Sequence, residues 1–225
     1  MRFPAHVRRR LAIACLTLGV GACQKAPEPE HDTPTSPSAK TTVSAPLPVS
    51  TGAEHYFGDI PLVDQDGTKR RFYTDLMRGK TVVIDSFFAS CSGACPKMAE
   101  TLVKLQERLG DRLEKDVRFL SITVDVENDT PEALNKYAKR FGARRGWYFL
   151  TGEPRDVSDV LRKIGQLSKE PNDHSTMFII GNEPTGLWKK ALGLAKAEEV
   201  IQVAMSVVDD RGGDPSVRTP LGIQP

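Results

Sequence analysis

Two thiols four positions apart open the chemistry of this chain. Cys91 and Cys95 lie in "SCSGACPKM" (residues 90–98), after an apolar run and before a helix-like one. A disulfide staple, a redox pair and a metal clamp all use such a pair. Pro96 suits a helix that begins near Cys95. Thiols at a helix N-terminus meet the positive end of its dipole, which favours thiolate, the form that is both nucleophile and metal ligand. Lys97 pushes weakly the same way. A staple across so short a loop removes little unfolded-state entropy, so it stabilises poorly. Thiol–disulfide exchange is the stronger rival, although its usual spacing is one residue shorter.

His174 bears on the choice. It stands in "EPNDHSTMFII" (170–180), in a polar stretch directly before an apolar run. A lone histidine is commonly a surface group or a satisfied hydrogen-bonder. Joined to two thiolates, it completes a soft S₂N set that suits Cu(I), whereas structural Zn(II) usually takes a fourth protein ligand. Of the other candidates, His6, His31 and His55 fit that fourth place poorly, and Asp125 fits it better. Asp85 lies inside an apolar run, six residues before Cys91. Desolvation would raise its pKa and equip it as a base for a thiol, in the manner of a buried thioredoxin aspartate. The plainer expectation is that it hydrogen-bonds backbone near a sheet edge. Asp129 is expected to cap a helix, and Trp147 and Trp188 to be strand or core residues.

The elements that must position these groups alternate along the chain. "DIPLVDQDGTKRRFY" (59–73) reads as two strands around an Asp66–Gly67 turn. "TVVIDSFF" (81–88) and "VRFLSITV" (117–124) read as buried strands. A helix over 95–109 puts Met98, Leu102, Leu105 and Leu109 on one face, with Gly110 closing it. Thr130 and Pro131 open a second helix. "GWYFLTG" (146–152) is a short strand, and 153–165 is a helix that ends at Gly165. "STMFII" (175–180) and "GLWKKA" (186–191) form a hairpin, and 196–208 is a last amphipathic helix. This order gives an α/β sandwich with a mixed sheet, parallel in its first half. Ligands of such sheets bind beyond the carboxyl ends of the central strands, where Cys91, Cys95 and Asp125 fall.

The ends of the chain are of another kind. Four arginines precede "LAIACLTLGVGA" (11–22), an apolar run too short to span a bilayer and suited to a signal peptide. "VGAC" then resembles a lipobox, with Cys23 as the lipidated first residue. Cleavage there removes the four arginines and no acid, so the formal charge passes from +2 to about −2. With no aromatic-laced basic stripe, nucleic-acid binding is not expected. Residues 23–54 are rich in proline, serine and threonine and read as a tether. Residues 55–210 are the domain and 211–225 a flexible tail. Such a domain faces a compartment where disulfides persist.

"FFASCSGACPKM", "SITVDVENDTPEALNKYAKRFG", "WYFLTG" and "DHSTMFIIGNEPTG" together resemble the Sco (SenC) family of copper-binding proteins. They come in that family's order and cover roughly residues 55–208. The resemblance implies a thioredoxin-like sandwich, with a central mixed sheet flanked by helices and an N-terminal β-hairpin extension. It implies copper as the cofactor, with Cys91, Cys95 and His174 as ligands and Asp125 beside them. It also implies delivery of copper to the dinuclear site of cytochrome c oxidase during assembly. The expected partners are the copper-bearing oxidase subunit, other periplasmic copper chaperones and thioredoxin-like reductants. The expected location is the periplasmic side of a bacterial membrane, held by lipid on Cys23. The alternative from the same residues is a thiol–disulfide oxidoreductase in which Cys91 and Cys95 form the redox pair. The chain departs from the family in two places. Ser92, Gly93 and Ala94 replace a common proline and acid, and Val126 replaces a proline after Asp125.

Overall fold

The structure, a computed structural model, describes residues 52–212. The expected signal segment, Cys23, residues 23–51 of the tether and 213–225 of the tail lie outside the described residues. The described chain begins with a short helix α1 (Gly52–Phe57), which spans the expected boundary between tether and domain. Strands β1 (Pro61–Asp64) and β2 (Lys69–Arg71) follow, with Gly67 at φ 75° in their turn. A π-helical turn, Phe72–Met77, leads into β3 (Thr81–Phe87). Next come α2 (Ala94–Leu109), a kinked single turn α3 (Arg112–Lys115) and β4 (Val117–Thr123). Then α4 (Pro131–Arg140), β5 (Trp147–Thr151) and α5 (Pro154–Lys163) alternate. The hairpin β6 (Met177–Asn182) and β7 (Leu187–Leu192) precedes α6 (Ala197–Val208).

One seven-stranded sheet holds these together in the order β2-β1-β5-β4-β3-β6-β7. Strands β3, β4 and β5 are parallel, and β6 runs antiparallel to β3. The first hairpin is the expected N-terminal extension, and it adds to the edge of the sheet. β1 pairs antiparallel with β5 through Val63–Thr151 and Asp64–Leu150, so it extends the sheet. Its turn is fastened by Asp64, 1% exposed, which accepts from the Asp66 and Thr68 N–H groups and pairs with Arg70 at 2.8 Å.

The pleat sorts the core into two layers. Val83, Phe87, Phe119, Phe149 and Phe178 face α2, α4 and α6. Val82, Ile84, Leu120, Leu150 and Ile179 face α1, the π-helical turn and α5. The expected stripe of Met98, Leu102, Leu105 and Leu109 is buried in the first layer. Thr130 caps α4 by accepting from the Ala133 N–H at 3.3 Å. Asp85 and Ser121 stand opposite each other in register, on the same side of β3 and β4 as the first-layer residues Val83, Phe87 and Phe119.

On β6 and β7, Gly181 pairs with Trp188. A Cβ at Gly181 would stand 2.2 Å from the indole of Trp188, so only glycine leaves room for the ring. Gly181→Ala must therefore displace the ring or the strand. The expected loss is about 1–3 kcal/mol, the usual scale of overpacking. Denaturant unfolding followed by tryptophan fluorescence checks it, and an unchanged midpoint would refute this account of the glycine.

Candidate metal centre

β3 ends at Phe87, and the chain then loops over the sheet edge to enter α2 at Ala94. Cys91 sits on this loop, half-buried, and its N–H donates to the Phe88 carbonyl at 3.1 Å. Cys95 falls in the first turn of α2 and is 2% exposed. Pro96, one position on, needs no intrahelical N–H partner there.

His174 arrives from the other direction. Because β6 is antiparallel to β3, with Ile84 opposite Ile179, the residues just before β6 lie past the carboxyl end of β3. A 3-10 turn, Pro171–Asp173, delivers His174 into that place, 9% exposed. Its Nδ1 lies 3.0 Å from the Ser175 carbonyl, which can only accept. The proton therefore belongs on Nδ1, and Nε2 keeps its lone pair. Nε2 points at Cys95 Sγ, 3.4 Å away. The buried Ser86 hydroxyl supports this side of the ring, 3.4 Å from Nδ1 and 3.3 Å from the Ser175 carbonyl. Phe88 stands edge-on to the imidazole at 5.7 Å.

The donor atoms of Cys91, Cys95 and His174 all lie within 4.8 Å of one another. Bonds of about 2.0–2.3 Å around one ion in a trigonal set place donors about 3.5–4 Å apart. The cluster, with donors within 4.8 Å, meets that with at most about 1.3 Å of adjustment. Two sulfurs and one imidazole are soft donors, which fits a monovalent copper ion better than a hard cation.

The electrostatics are those of a dry site. Burial pushes the Cys95 thiol well above the ordinary range, and its hydrogen bond with Cys91 adds to this; only the Phe88 backbone N–H favours the thiolate. The thiolate expected from the helix terminus is thus outweighed by desolvation. Burial also lowers the pKa of His174, which keeps the imidazole neutral and its Nε2 free to bind.

The other expected residues divide. The Asp125 carboxylate accepts from Asn128 Nδ2 at 2.9 and 3.0 Å, and the donor cluster does not include it. Asp85 is not at an edge and does not hold backbone. It lies on the central strand β3, and the Ser121 hydroxyl donates to it at 2.7 Å, while Trp147 Nε1 donates to Ser121 at 3.0 Å. Asp129 does not cap a helix. It is 2% exposed and accepts from the Ala89 N–H at 3.1 and 3.2 Å and from the Thr123 hydroxyl at 2.5 Å. It thereby ties the loop that carries Cys91 to the end of β4, a role the sequence hinted at only through its place after that strand.

A thioredoxin-like sheet with a Cys–Cys–His cluster past its central strands defines a class of soft-metal-binding or thiol-exchanging proteins. Within that class the chain belongs to the SCO1/SenC family, whose model matches residues 49–208. Among relatives, an SCO2-like protein of Rickettsia conorii is 33% identical over 107 residues, 48% of this chain and 50% of its own length. An SCO2-like protein of Rickettsia prowazekii is 29% identical over 73% of this chain and 74% of its own. The chain therefore spans from half to three quarters of these relatives. Among solved structures, a SCO1/SenC family lipoprotein from Bacillus anthracis superposes with a TM-score of 0.57 at 28% identity, covering 66% of this chain and 92% of that one. BsSco, described as a cytochrome c oxidase assembly protein with a disulfide switch, gives 0.55 at 26% identity, covering 66% and 90%. Arabidopsis thaliana ScoI, solved with copper bound, shares the fold, with a TM-score of 0.55 at 22% identity over 67% and 96%.

Burial pushes the Asp85 carboxyl up to about 7, against the opposing hydrogen bond from Ser121. Below about pH 3.9 both folded and unfolded chains hold this proton. As pH rises the unfolded chain ionises first, so stability falls until pH passes about 7 and is level beyond it. The expected loss is on the order of a few kcal/mol. His174 works with the opposite sign. Its lowered pKa costs stability as pH falls below about 6.5. In the reduced, metal-free chain, Asp85→Asn should flatten the fall between pH 4 and 7 while leaving the acid side in place. Denaturant titrations across pH read this directly. Parallel profiles for the two proteins would mean that Asp85 is ionised at neutral pH.

Proposed function

We propose that this protein is a copper chaperone that carries one Cu(I) on Cys91, Cys95 and His174. It delivers the ion to the dinuclear copper site of cytochrome c oxidase during assembly. The observation that carries this reading is the imidazole Nε2, held neutral and aimed at Cys95 Sγ from 3.4 Å. Thiol exchange alone gives no reason for that third donor. Copper here is cargo. Binding displaces the thiol protons, since the thiolate is the ligand, so loading is linked to proton release. Family membership and the oxidase-assembly family of BsSco support the destination. Asp125, held by Asn128 after β4, is assigned a supporting place outside the donor cluster.

A second reading, thiol–disulfide exchange, is favoured by two free thiols within 4.8 Å of each other. The dithiol would give two electrons and two protons to a partner disulfide and become the Cys91–Cys95 disulfide. Cys91, the more accessible sulfur, would attack, and Cys95 would resolve the mixed disulfide.

Copper titration separates the readings. In the full chain with Cys15→Ser and Cys23→Ser, one Cu(I) should bind tightly. Cys91→Ala or Cys95→Ala should abolish this, because one thiolate and one imidazole are too few soft donors. His174→Ala should weaken binding by several kcal/mol, the order expected for loss of a coordinating donor, yet leave Cys91–Cys95 disulfide formation intact. Normal oxidase activity in cells carrying His174→Ala at low external copper would transfer the assignment to the reductase.

The same reading places the protein on the periplasmic side of a membrane, anchored by lipid on Cys23. No helix among the described residues is long and apolar enough to cross a membrane, and the anthracis relative is a lipoprotein. Cys23→Ser should move the protein from the membrane to the soluble fraction without altering copper stoichiometry. A variant that still sediments with membranes would overturn the anchor.

A further inference from the structure

On the second-layer side of the sheet, α1, the end of α5 and the β6–β7 hairpin line a groove of about 270 Å³. Its floor is Phe57, Ile164, Ile179 and Trp188. Ile179 pairs with Lys190 and Gly181 with Trp188, so Trp188 and Lys190 stand on the Ile179 side of the hairpin. Arg162 and Lys163, the last two residues of α5, complete an edge of three cations. Lys189 belongs to the opposite face, where its Nζ donates to Ser206 on α6 at 2.8 Å. Gly52 and Ala53, the first described residues, form one wall.

No aspartate or glutamate lines this groove. Lys190 is exposed and makes no ion pair among the described residues. Lys163 is held by neutral groups. Its Nζ donates to the Tyr56 carbonyl and sits 5.1 Å over the Tyr56 ring, while the Tyr56 hydroxyl donates to the Lys163 carbonyl at 2.7 Å. Of the three cations only Arg162 meets an acid, Asp159 on its own helix. Tyr56 and Trp188 are half-buried. The groove thus offers aromatic rings, an aliphatic floor and a cationic edge short of anions. Tryptophan and tyrosine beside lysine and arginine form the set that settles at a membrane interface, with rings at the headgroup level and cations at the phosphates.

We propose that this groove docks on an anionic bilayer and takes up part of one phospholipid, with an acyl chain along Ile179 and Trp188 and the phosphate at Arg162, Lys163 and Lys190. Charge complementarity chooses this occupant. A purely apolar ligand would leave the cations unanswered. The chain upstream of Gly52 does not answer them either, since residues 33–51 hold no acid. That upstream chain joins the domain at the groove wall, so a bilayer that holds Cys23 is tied to this face. The volume lies just below the about 300–1,000 Å³ of whole-ligand pockets, which suits a segment of one chain. Docking leaves the metal centre open. The groove belongs to the second core layer and Cys95 to the first, and the groove shares no lining residue with the cleft at Cys91 and His174. Lipid on Cys23 would add proximity, but the contact itself is made by the groove.

The test uses the full chain with Cys15→Ser and Cys23→Ser, so that no lipid on Cys23 takes part. It is titrated with phosphatidylcholine vesicles, with and without about one third phosphatidylglycerol, whose acyl chains are brominated near the glycerol end. The readout is Trp188 emission. Of the two tryptophans, Trp147 is 1% exposed and supplies a constant background. The signal is therefore local to the groove, whereas Arg2, Arg8, Arg9, Arg10 and the apolar run before Cys23 can attach any variant to vesicles. Anionic vesicles should shift Trp188 emission to the blue and quench it, and neutral ones should leave it unchanged. Arg162→Gln together with Lys190→Gln, both at exposed sites, should weaken the response about thirtyfold, from about 1 kcal/mol for each cation at such a surface. Cu(I) affinity within twofold of the parent reports that the variant is folded. Should the variant lose that affinity, the contrast between the two vesicle types in the parent decides. Unchanged emission from protein sedimented with anionic vesicles, equal quenching by both vesicle types, or equal quenching of folded variant and parent overturns the lipid site. A vesicle-free dimer that the double variant abolishes assigns this face to self-association and overturns it too. Each of these results leaves the Cys23 anchor standing, because fractionation of Cys23→Ser tests that separately.

Discussion

The antiparallel seating of β6 on β3 is the constraint on which the site depends. Cys91 and Cys95 are local to each other, but His174 is 79 residues from Cys95 in sequence. Only the register Thr81–Asn182 through Ile84–Ile179 carries it past the end of β3 to the first turn of α2. A slip of one residue would turn every side chain of β6 to the other face and take His174 with it. Several contacts oppose the slip. Phe178 and Ile180 are sunk in one core layer and Ile179 in the other. The Gln166 amide and the Gly193 N–H hold the Met177 and Thr176 carbonyls. Gly181 beneath Trp188 admits no other residue without displacement.

The same seating creates an interior that disfavours charge. Cys95, His174 and Asp85 are all buried, and desolvation pushes each toward its neutral form. A metal-free site of this kind is close to electrically silent. A bound cation would reverse the balance, since its charge compensates the thiolates that burial alone will not tolerate. Under the copper reading, burial therefore sets an exchange of protons for metal. The neutral imidazole needs no deprotonation to join in, because the Ser175 carbonyl already fixes its Nδ1 proton.

Much of this was legible in the chain. The β-branched runs at 81–88 and 117–124, the stripe along α2 and the Thr130–Pro131 start of α4 declare their structure locally, because periodicity and capping are local properties. The Cys–Cys–His set was legible through its spacing and its place beside strand ends. Other features depend on contacts the sequence does not display. Pairing of β1 with β5 joins segments about 88 residues apart, so the strand that receives the hairpin extension could not be read from the sequence. The π-helical turn at Phe72–Met77 is too short for a period to show. Asp129 resembled a helix cap because it sits just before Thr130. Only the folded loop reveals that its buried carboxylate holds the Ala89 N–H. Asp85 announced itself as an oddity in an apolar run, but its partner Ser121 lies on the neighbouring strand.

The three donors differ in access, and that grading bears on how copper would leave. Cys95 and His174 are buried, while Cys91 sits half-buried on the loop at the mouth. Under the copper reading, an incoming donor would approach from the Cys91 side, where the cleft opens. Cys91 would then be the residue best placed to give way, with the buried Cys95 and His174 the residues that would keep their hold. Ser92, Gly93 and Ala94 favour this order, because three small uncharged residues leave the approach unobstructed and give an acceptor thiolate no acid to repel it. The Asp129 tether at Ala89 limits how far the loop can swing. Under the copper reading, Cys91 would thereby be free enough to release the ion, and its sulfur lies within 4.8 Å of Cys95 Sγ.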